Sequence, residues 1–201
     1  MFKNRVDAGK RLAKKLAHFK NPVILGVPRG GVVVAATVAK ELKAKLSAII
    51  VRKLPAPDNE ELAIGAVAED GTRILNAFLI RQIDVSRDYV EKETEVKMRE
   101  IKKRMELYGI KTPSLRGRTV IIVDDGMATG STMLAAIKFV LKHNAKSVIV
   151  AVPVASVDSI NFVKDEAEVI VLEIPLDFRA VGEFYKEFEQ VTDEEVKKLL
   201  S

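Results

Sequence analysis

The sequence predicts an α/β fold with a mostly parallel twisted sheet and helices on both faces. Short apolar runs alternate with helical stretches along most of the 201 residues. Each run is almost continuously apolar, as strands are when both faces of a parallel sheet are covered. The hydrophobic fraction of 48% suffices for a sizeable core, and the length favours one domain over two. We therefore expect a single domain over residues 1–201.

The first elements follow in the order helix, strand, helix, strand. Apolar residues at helical spacing predict an amphipathic helix over Asp7–Phe19. The run PVILGV predicts a buried strand that ends in the turn Pro28–Gly31, and Val32–Lys45 has the spacing of a second helix. The run SAIIVRKL predicts one strand over Ser47–Leu54, which the following PAPDN stops.

The middle section, residues 55–113, interrupts this alternation and is the candidate for a lid or insertion. Asp70 and Gly71 lie between two apolar runs and predict a β-hairpin. A long charged helix is expected from about Ser86 to Tyr108, closed by a glycine as its C-terminal cap. A structural or dimer-forming role is the alternative for this helix.

The alternation resumes after residue 113. RTVIIV, KSVIVAVPV and EVIVLEI predict strands, and helices are expected over Ser131–Lys142 and near Asp158–Lys164. A final helix begins at Thr192, where Glu195 completes a capping box. The segment 175–201 is rich in aromatic residues and follows the last strand, at the edge where ligands bind beyond the carboxyl ends of parallel strands.

Composition limits the function classes. The net charge of +5 favours anionic partners, either nucleic acid or phosphorylated small molecules. Without cysteine, neither a disulfide framework nor a thiolate metal site can form. No apolar run predicts a signal peptide or a bilayer span, so we expect a cytoplasmic protein without membrane contact.

The stretch VIIVDDGMATGST carries the strongest functional signal. Asp124 and Asp125 directly follow a strand, and neighbouring carboxylates repel unless donors or a cation lie nearby. Sugar hydroxyls are such donors, and a magnesium ion is such a cation. The next helix begins in a small-residue turn whose free amides attract phosphate. An ordinary turn followed by an ordinary helix cap is the alternative. The phosphate-binding candidates are Ala128, Thr129, Gly130, Ser131 and Thr132.

This stretch resembles the phosphoribosyl pyrophosphate (PRPP) signature of type I phosphoribosyltransferases. GVPRGGVVVA is similar to the pyrophosphate loop of that family, in which Arg29 supplies charge and Gly30 and Gly31 let amides approach the oxygens. The family often has a non-proline cis peptide in this loop, which would fall between Pro28 and Arg29. The resemblance also implies that Arg52 and Lys53, in VRKLPAP, lie near the pyrophosphate; a solvated pair of charges is the alternative.

The resemblance implies transfer of the 5-phosphoribosyl group of PRPP to a nitrogenous base, with release of pyrophosphate. It implies Arg29, Lys53, Asp124 and Asp125 as catalytic residues and Mg²⁺ as cofactor. The two aspartates would hold the metal indirectly, through ribose hydroxyls or water. A homodimer is expected. Asp125→Asn should weaken PRPP binding and leave the fold intact.

The sequence limits the identity of the acceptor base only through residues that it lacks. Members of the family that use 6-oxopurines usually have an aspartate at the position of Ala128, and alanine cannot exchange a proton with the base. The run AVPVAS also lacks the lysine of those enzymes. The resemblance implies that the segment 175–201 forms a hood over the base. Phe178 is our candidate for stacking on that base, with plain packing of the C-terminal aromatic residues as the alternative. Glu69, at the hairpin turn, is a further site candidate.

A second function must be kept, namely a regulator that senses PRPP with the same fold and binds nucleic acid. The net charge is compatible with it. However, glutamates interrupt the positive charge, especially over Glu91–Glu106, and disfavour one continuous basic face. We therefore expect a small-molecule enzyme rather than a nucleic-acid-binding protein.

Overall fold

The computed structural model describes all 201 residues and contains two sheets. The larger sheet is entirely parallel, and strands and helices are numbered in chain order. From edge to edge its strands are β2 (Lys45–Ala48), β1 (Val23–Gly26), β6 (Thr119–Val123), β7 (Ser147–Val154) and β8 (Glu168–Glu173). The predicted α/β class with a mostly parallel sheet is confirmed.

Helices cover both faces of this sheet, because successive strand residues point to opposite sides. Ile24 of β1 packs in the core beneath two helices, and Leu25 packs in the core on the other face. The first core lies under α1 (Arg5–Leu16) and α2 (Gly30–Leu42). The second lies under α5 (Ser131–Lys142), and α6 (Val157–Val163) follows β7.

The smaller sheet is antiparallel and corrects one expectation. It consists of β3 (Val51–Ala56), β4 (Asn59–Ala68) and β5 (Arg73–Leu75) in that order, and the predicted hairpin joins β4 to β5. The single strand expected from SAIIVRKL is therefore wrong, since the chain leaves the parallel sheet after β2 and enters the second sheet at β3. Ile49 packs in one core and Ile50 in the next.

The Glu69 side chain stabilises the segment in which the chain passes from the parallel sheet to the second sheet. The amide of Ile49 still donates to the Gly26 carbonyl at 3.0 Å, as a strand residue would. The amide of Ile50 instead donates to the Glu69 carboxylate at 3.2 Å. Glu69 thus satisfies a buried backbone donor at the point where the chain passes between sheets.

Of the remaining helices, α3 (Ala77–Gln82) and α4 (Arg87–Tyr108) pack against the second sheet. The last helix, α7 (Asp193–Leu200), packs against α2, α4 and β2. The predicted caps are present: Gly109 ends α4 in the left-handed region, and Thr192 and Glu195 form the capping box of α7. The sequence did not predict α3 or the short 3-10 helix Val181–Phe184. None of the helices combines the length and the apolar character that crossing a membrane requires.

Candidate active site

Two loops meet at the carboxyl edge of the parallel sheet, because β1 and β6 are neighbours. The loop after β1 leads into α2, and the loop after β6 contains the acidic pair. A hydrogen bond of 2.9 Å from the Val27 amide to the Val123 carbonyl holds the two loops together. The peptide between Pro28 and Arg29 is cis, as the resemblance implied.

The two aspartates have different partners. The Asp125 carboxylate accepts a hydrogen bond from Arg5 Nε at 2.7 Å, and the Asp125 amide donates to Asp124 Oδ1 at 2.8 Å. The Tyr185 hydroxyl donates to the Asp125 carbonyl at 2.6 Å. Burial and the neighbouring Asp125 carboxylate raise the pKa of Asp124 well above its usual value. A cation or a hydroxyl donor would therefore stabilise the ionised form of Asp124.

The glycines of the β1–α2 loop leave room for these acids. A Cβ added to Gly30 would lie 1.9 Å from Asp125 Oδ2, and one added to Gly31 would lie 2.6 Å from Asp124 Oδ1. Real Cβ atoms do not approach other atoms so closely. Packing within the protein therefore requires glycine at these two positions, since the start of α2 lies directly on the acidic pair.

The candidate phosphate loop, residues 128–132, leads into the start of α5. Gly130 has φ +79° and no side chain caps the helix, so its first amides are available to an anion. Two serines that the sequence analysis did not predict as site residues hold this loop through its backbone carbonyls. Ser156 Oγ donates to the Ala128 carbonyl at 2.8 Å, and Ser159 Oγ lies 2.9 Å from the Met127 carbonyl.

A cleft of about 680 Å³ lies between this edge and the second sheet. Its volume is in the range of small-molecule sites. Of the predicted site residues it is lined by Arg52, Lys53, Asp124 and Thr132. The rest of its wall combines apolar residues with the polar or charged Asp58, Asn59, Glu60, Tyr89, Glu93 and Lys97, and Pro28 also lines it. The structure thus brings the acidic motif, the start of α5 and the basic residues of β3 to one cavity.

The basic residues of β3 differ in environment. Lys53 is exposed in the cleft and has no ion-pair partner. Arg52 lies 3.5 Å from a carboxylate oxygen of Glu100 on α4, and its half-buried guanidinium has a lowered pKa, mainly because of burial and secondly because Arg104 is near. Lys53 is therefore the cation that is free to meet an anionic ligand.

Ten predicted site residues lie outside the cleft wall, namely Arg29, Gly30, Gly31, Glu69, Asp125, Ala128, Thr129, Gly130, Ser131 and Phe178. Arg29 is half-buried beside it and makes no side-chain ion pair, and Asp125 faces Arg5. The Phe178 ring stacks on Phe184 at a centroid distance of 5.5 Å. Glu69 holds the crossing between the sheets and borders a separate cavity with Lys142 and His143.

The carboxylates of this site do not form a metal site by themselves. No group of three or more histidine, cysteine or acidic side chains in the chain could hold a metal ion. Mg²⁺ is commonly held by one or two carboxylates together with substrate phosphates and water. Asp124, in the cleft, fits a magnesium ion that arrives with such a substrate.

Comparison with known proteins identifies the family. The family model described as a phosphoribosyl transferase domain matches residues 2–187. The chain belongs to the phosphoribosyltransferase family. The resemblance seen in the sequence is thereby confirmed, and a transferase is indicated.

Two curated proteins of Mycobacterium tuberculosis, from strains CDC 1551 and H37Rv, are similar along this whole phosphoribosyltransferase chain. Each is named "Putative phosphoribosyl transferase" and is 41% identical over 205 residues, which cover 100% of this chain and 46% of the relative. The chain thus spans about half the length of the curated relatives it matches.

Solved structures agree with the fold. TT1426 from Thermus thermophilus superposes with a TM-score of 0.86 at 43% identity, covering 99% of this chain and 97% of that one. A hypothetical protein from Neisseria gonorrhoeae, solved with bound ppGpp, has a TM-score of 0.55 at 16% identity, with 98% and 90% covered. At that identity the second likeness concerns the fold alone.

Proposed function

We propose that this phosphoribosyltransferase transfers the 5-phosphoribosyl group of PRPP to a nitrogenous base and releases pyrophosphate. Family membership supports a transferase. The observation that carries the proposal is the cleft, which Asp124, Thr132 and Lys53 line together although they come from three separate parts of the chain. An acid, an uncapped helix start and a free cation match a ribose, a phosphate monoester and a pyrophosphate, respectively.

Binding would follow this division. The 5-phosphate would accept hydrogen bonds from the first amides and hydroxyls of the loop Ala128–Thr132, at the positive end of α5. The ribose hydroxyls would donate to Asp124. The pyrophosphate would lie between Lys53 and the start of α2, with Arg29 adding positive charge from beside the cleft.

The reaction needs positioning and charge rather than a covalent intermediate on the protein. A nitrogen lone pair of the base forms the new bond to the anomeric carbon, and the bond from that carbon to the pyrophosphate oxygen breaks with its electron pair. The proton that the nitrogen loses passes to the released pyrophosphate. Lys53 and Arg29 stabilise the negative charge that develops on the leaving oxygen. When bound, Mg²⁺ supplies further positive charge to the pyrophosphate oxygens. The hairpin β3–β4 and α4 form the opposite wall and would exclude water as a lid.

Two residues bear on which base is the acceptor. Ala128 offers only a methyl group where a 6-oxopurine enzyme would use an acid, so we propose a base other than hypoxanthine or guanine. Phe178 is the proposed stacking residue, and a base could use only the part of its ring that Phe184 leaves uncovered.

The test is pyrophosphate release from PRPP and Mg²⁺ with a panel of purine, pyrimidine and other heterocyclic bases. One base should support turnover, and Lys53→Ala should lower kcat/KM about hundredfold or more through loss of leaving-group stabilisation. Lys45→Ala is the matched control, because Lys45 is exposed at the amino end of β2. Absence of turnover with every base, together with PRPP-dependent binding of RNA or DNA in a gel shift, would replace this proposal with the regulator.

A further inference from the structure

The guanidinium of Arg5, at the start of α1, has partners on three sides. Its Nε lies 2.7 Å from Asp125 Oδ2, and one terminal nitrogen donates to the Glu189 carbonyl at 2.8 Å. Its central carbon lies 3.8 Å from the centroid of the Phe188 ring. A planar guanidinium that is stacked and hydrogen-bonded in this way has little freedom to turn.

Asp125 is fixed from the other directions as well. The Tyr185 hydroxyl donates to its carbonyl at 2.6 Å, and Gly30 packs so closely that a Cβ there would touch the carboxylate. The side chains of Arg5 and Asp125 are only 11% and 16% exposed. The pair is therefore largely removed from water, where an ion pair is screened little and the loss of one partner leaves an uncompensated charge.

The two neighbouring acids consequently face different surroundings. Asp124 lines the cleft, whereas the Asp125 carboxylate faces Arg5 and is not part of the cleft wall. PRPP carries several negative charges, so an uncompensated Asp125 carboxylate beside the cleft would repel it. The positive charge of Arg5 cancels that repulsion without entering the cleft.

We infer that Arg5 is a positioning residue of this site, which holds Asp125 in place and compensates its charge beside the ligand-binding edge. This inference rests on the proposed function.

A purely structural role for Arg5 is the competing explanation. Arg5 also ties α1 to the segment before α7, and removing it could lower stability without changing the site. A double-mutant cycle on PRPP affinity separates the two, because a residue that acts through Asp125 loses its effect once Asp125 is neutral.

The cycle consists of Arg5→Ala, Asp125→Asn and the double variant, measured by calorimetry with PRPP and Mg²⁺ well below each unfolding midpoint. Arg5→Ala should weaken PRPP affinity by about tenfold to hundredfold. In the Asp125→Asn background the same change should alter affinity by no more than about twofold. Arg5→Lys should recover part of the affinity, since it restores the charge but not the planar stacking.

Arg11→Ala is the matched control. Arg11 lies on the same helix, pairs with Asp7 at 2.8 Å and lies 5.4 Å from the Phe2 ring centroid, but this pair is 48% and 30% exposed and remote from the cleft wall. Its loss should leave PRPP affinity unchanged.

Each result decides the inference. Unchanged PRPP affinity in Arg5→Ala, or an equal loss with and without Asp125, would overturn it while leaving the proposed function in place. Failure of the unchanged chain to bind PRPP would overturn both. Should Arg5→Ala not fold, Arg5→Gln takes its place in the cycle, because it keeps a donor and loses only the charge.

Discussion

Gly30 is the position where one added carbon should disturb the site most. A Cβ there would lie 1.9 Å from Asp125 Oδ2 and 2.7 Å from Arg5 Nε, although contacts below 3.0 Å essentially never occur. The carboxylate must retreat by about 1 Å, a displacement that can lower activity about hundredfold when it moves a positioning group. Overpacking of this kind also costs about 1–3 kcal/mol of stability.

We therefore expect Gly30→Ala to weaken PRPP affinity strongly and to lower the unfolding midpoint, as measured by calorimetry and thermal denaturation. Gly71→Ala is the control, because Gly71 lies in the hairpin with φ +81° and nothing within 4 Å of an added Cβ. That variant should lose about 1–2 kcal/mol to backbone strain without loss of PRPP affinity. If Gly30→Ala bound PRPP as tightly as the unchanged chain, packing of α2 on the acidic pair would not shape the site, and this reasoning would be refuted.

Three further outcomes are expected. The ion pair revises the sequence-based expectation that Asp125→Asn leaves the fold intact. Besides weakening PRPP binding, Asp125→Asn should lower the free energy of unfolding by about 3 kcal/mol in denaturant titrations, because it leaves a buried arginine unpaired. Asp124→Asn should weaken binding without this loss of stability, and equal stabilities of the two variants would contradict the reasoning. Burial raises the pKa of Asp70, but hydrogen bonds from Lys142 and Thr72 outweigh it and hold the pKa below 3.8. The unchanged chain should therefore have a higher free energy of unfolding than Asp70→Asn above pH 3.8. This difference should disappear as the pH falls through the lowered pKa of Asp70. Denaturant titrations of both chains at about pH 7 and about pH 2 would measure it. Removal of Mg²⁺ with a chelator should weaken PRPP affinity in calorimetry, because the protein offers no metal site of its own and Mg²⁺ would bind together with the pyrophosphate oxygens, whose charge it offsets. Equal affinity with and without the metal would contradict Mg²⁺ dependence.

Local signals in the sequence were sufficient for the long helices and most of the parallel strands. The helix over Ser131–Lys142 has the predicted bounds, and α4 ends at Gly109 because only a residue that tolerates a positive φ can close a helix in this way. Capping depends on residues three or four apart, so a single sequence contains what is needed to predict it.

The split of SAIIVRKL between two sheets could not be predicted from its composition. All residues from Ser47 to Val51 are buried, and a continuous apolar run looks the same whether one sheet or two bury it. The crossing depends on Glu69, a residue 19 positions away whose carboxylate takes the place of a strand partner.

The candidate site shows the same division. The residue types at strand ends, Asp124 and Asp125 and the turn before α5, were enough to predict a ribose and phosphate site, because the carboxyl ends of parallel strands share one edge. The serines beneath the phosphate loop and the role of the glycines became visible only in the structure. Ser156 and Ser159 act on backbone carbonyls, and no residue type marks such a contact in a sequence.

The sequence by itself therefore determined the α/β class, the helix ends and the motif that places this chain among the phosphoribosyltransferases, because each depends on neighbours along the chain. Only the tertiary structure decided that Asp124 faces the cleft while Asp125 faces Arg5, 120 residues away. Adjacent residues of identical chemistry cannot be distinguished by pattern. Their roles are set by the charges and rings that folding brings beside each of them.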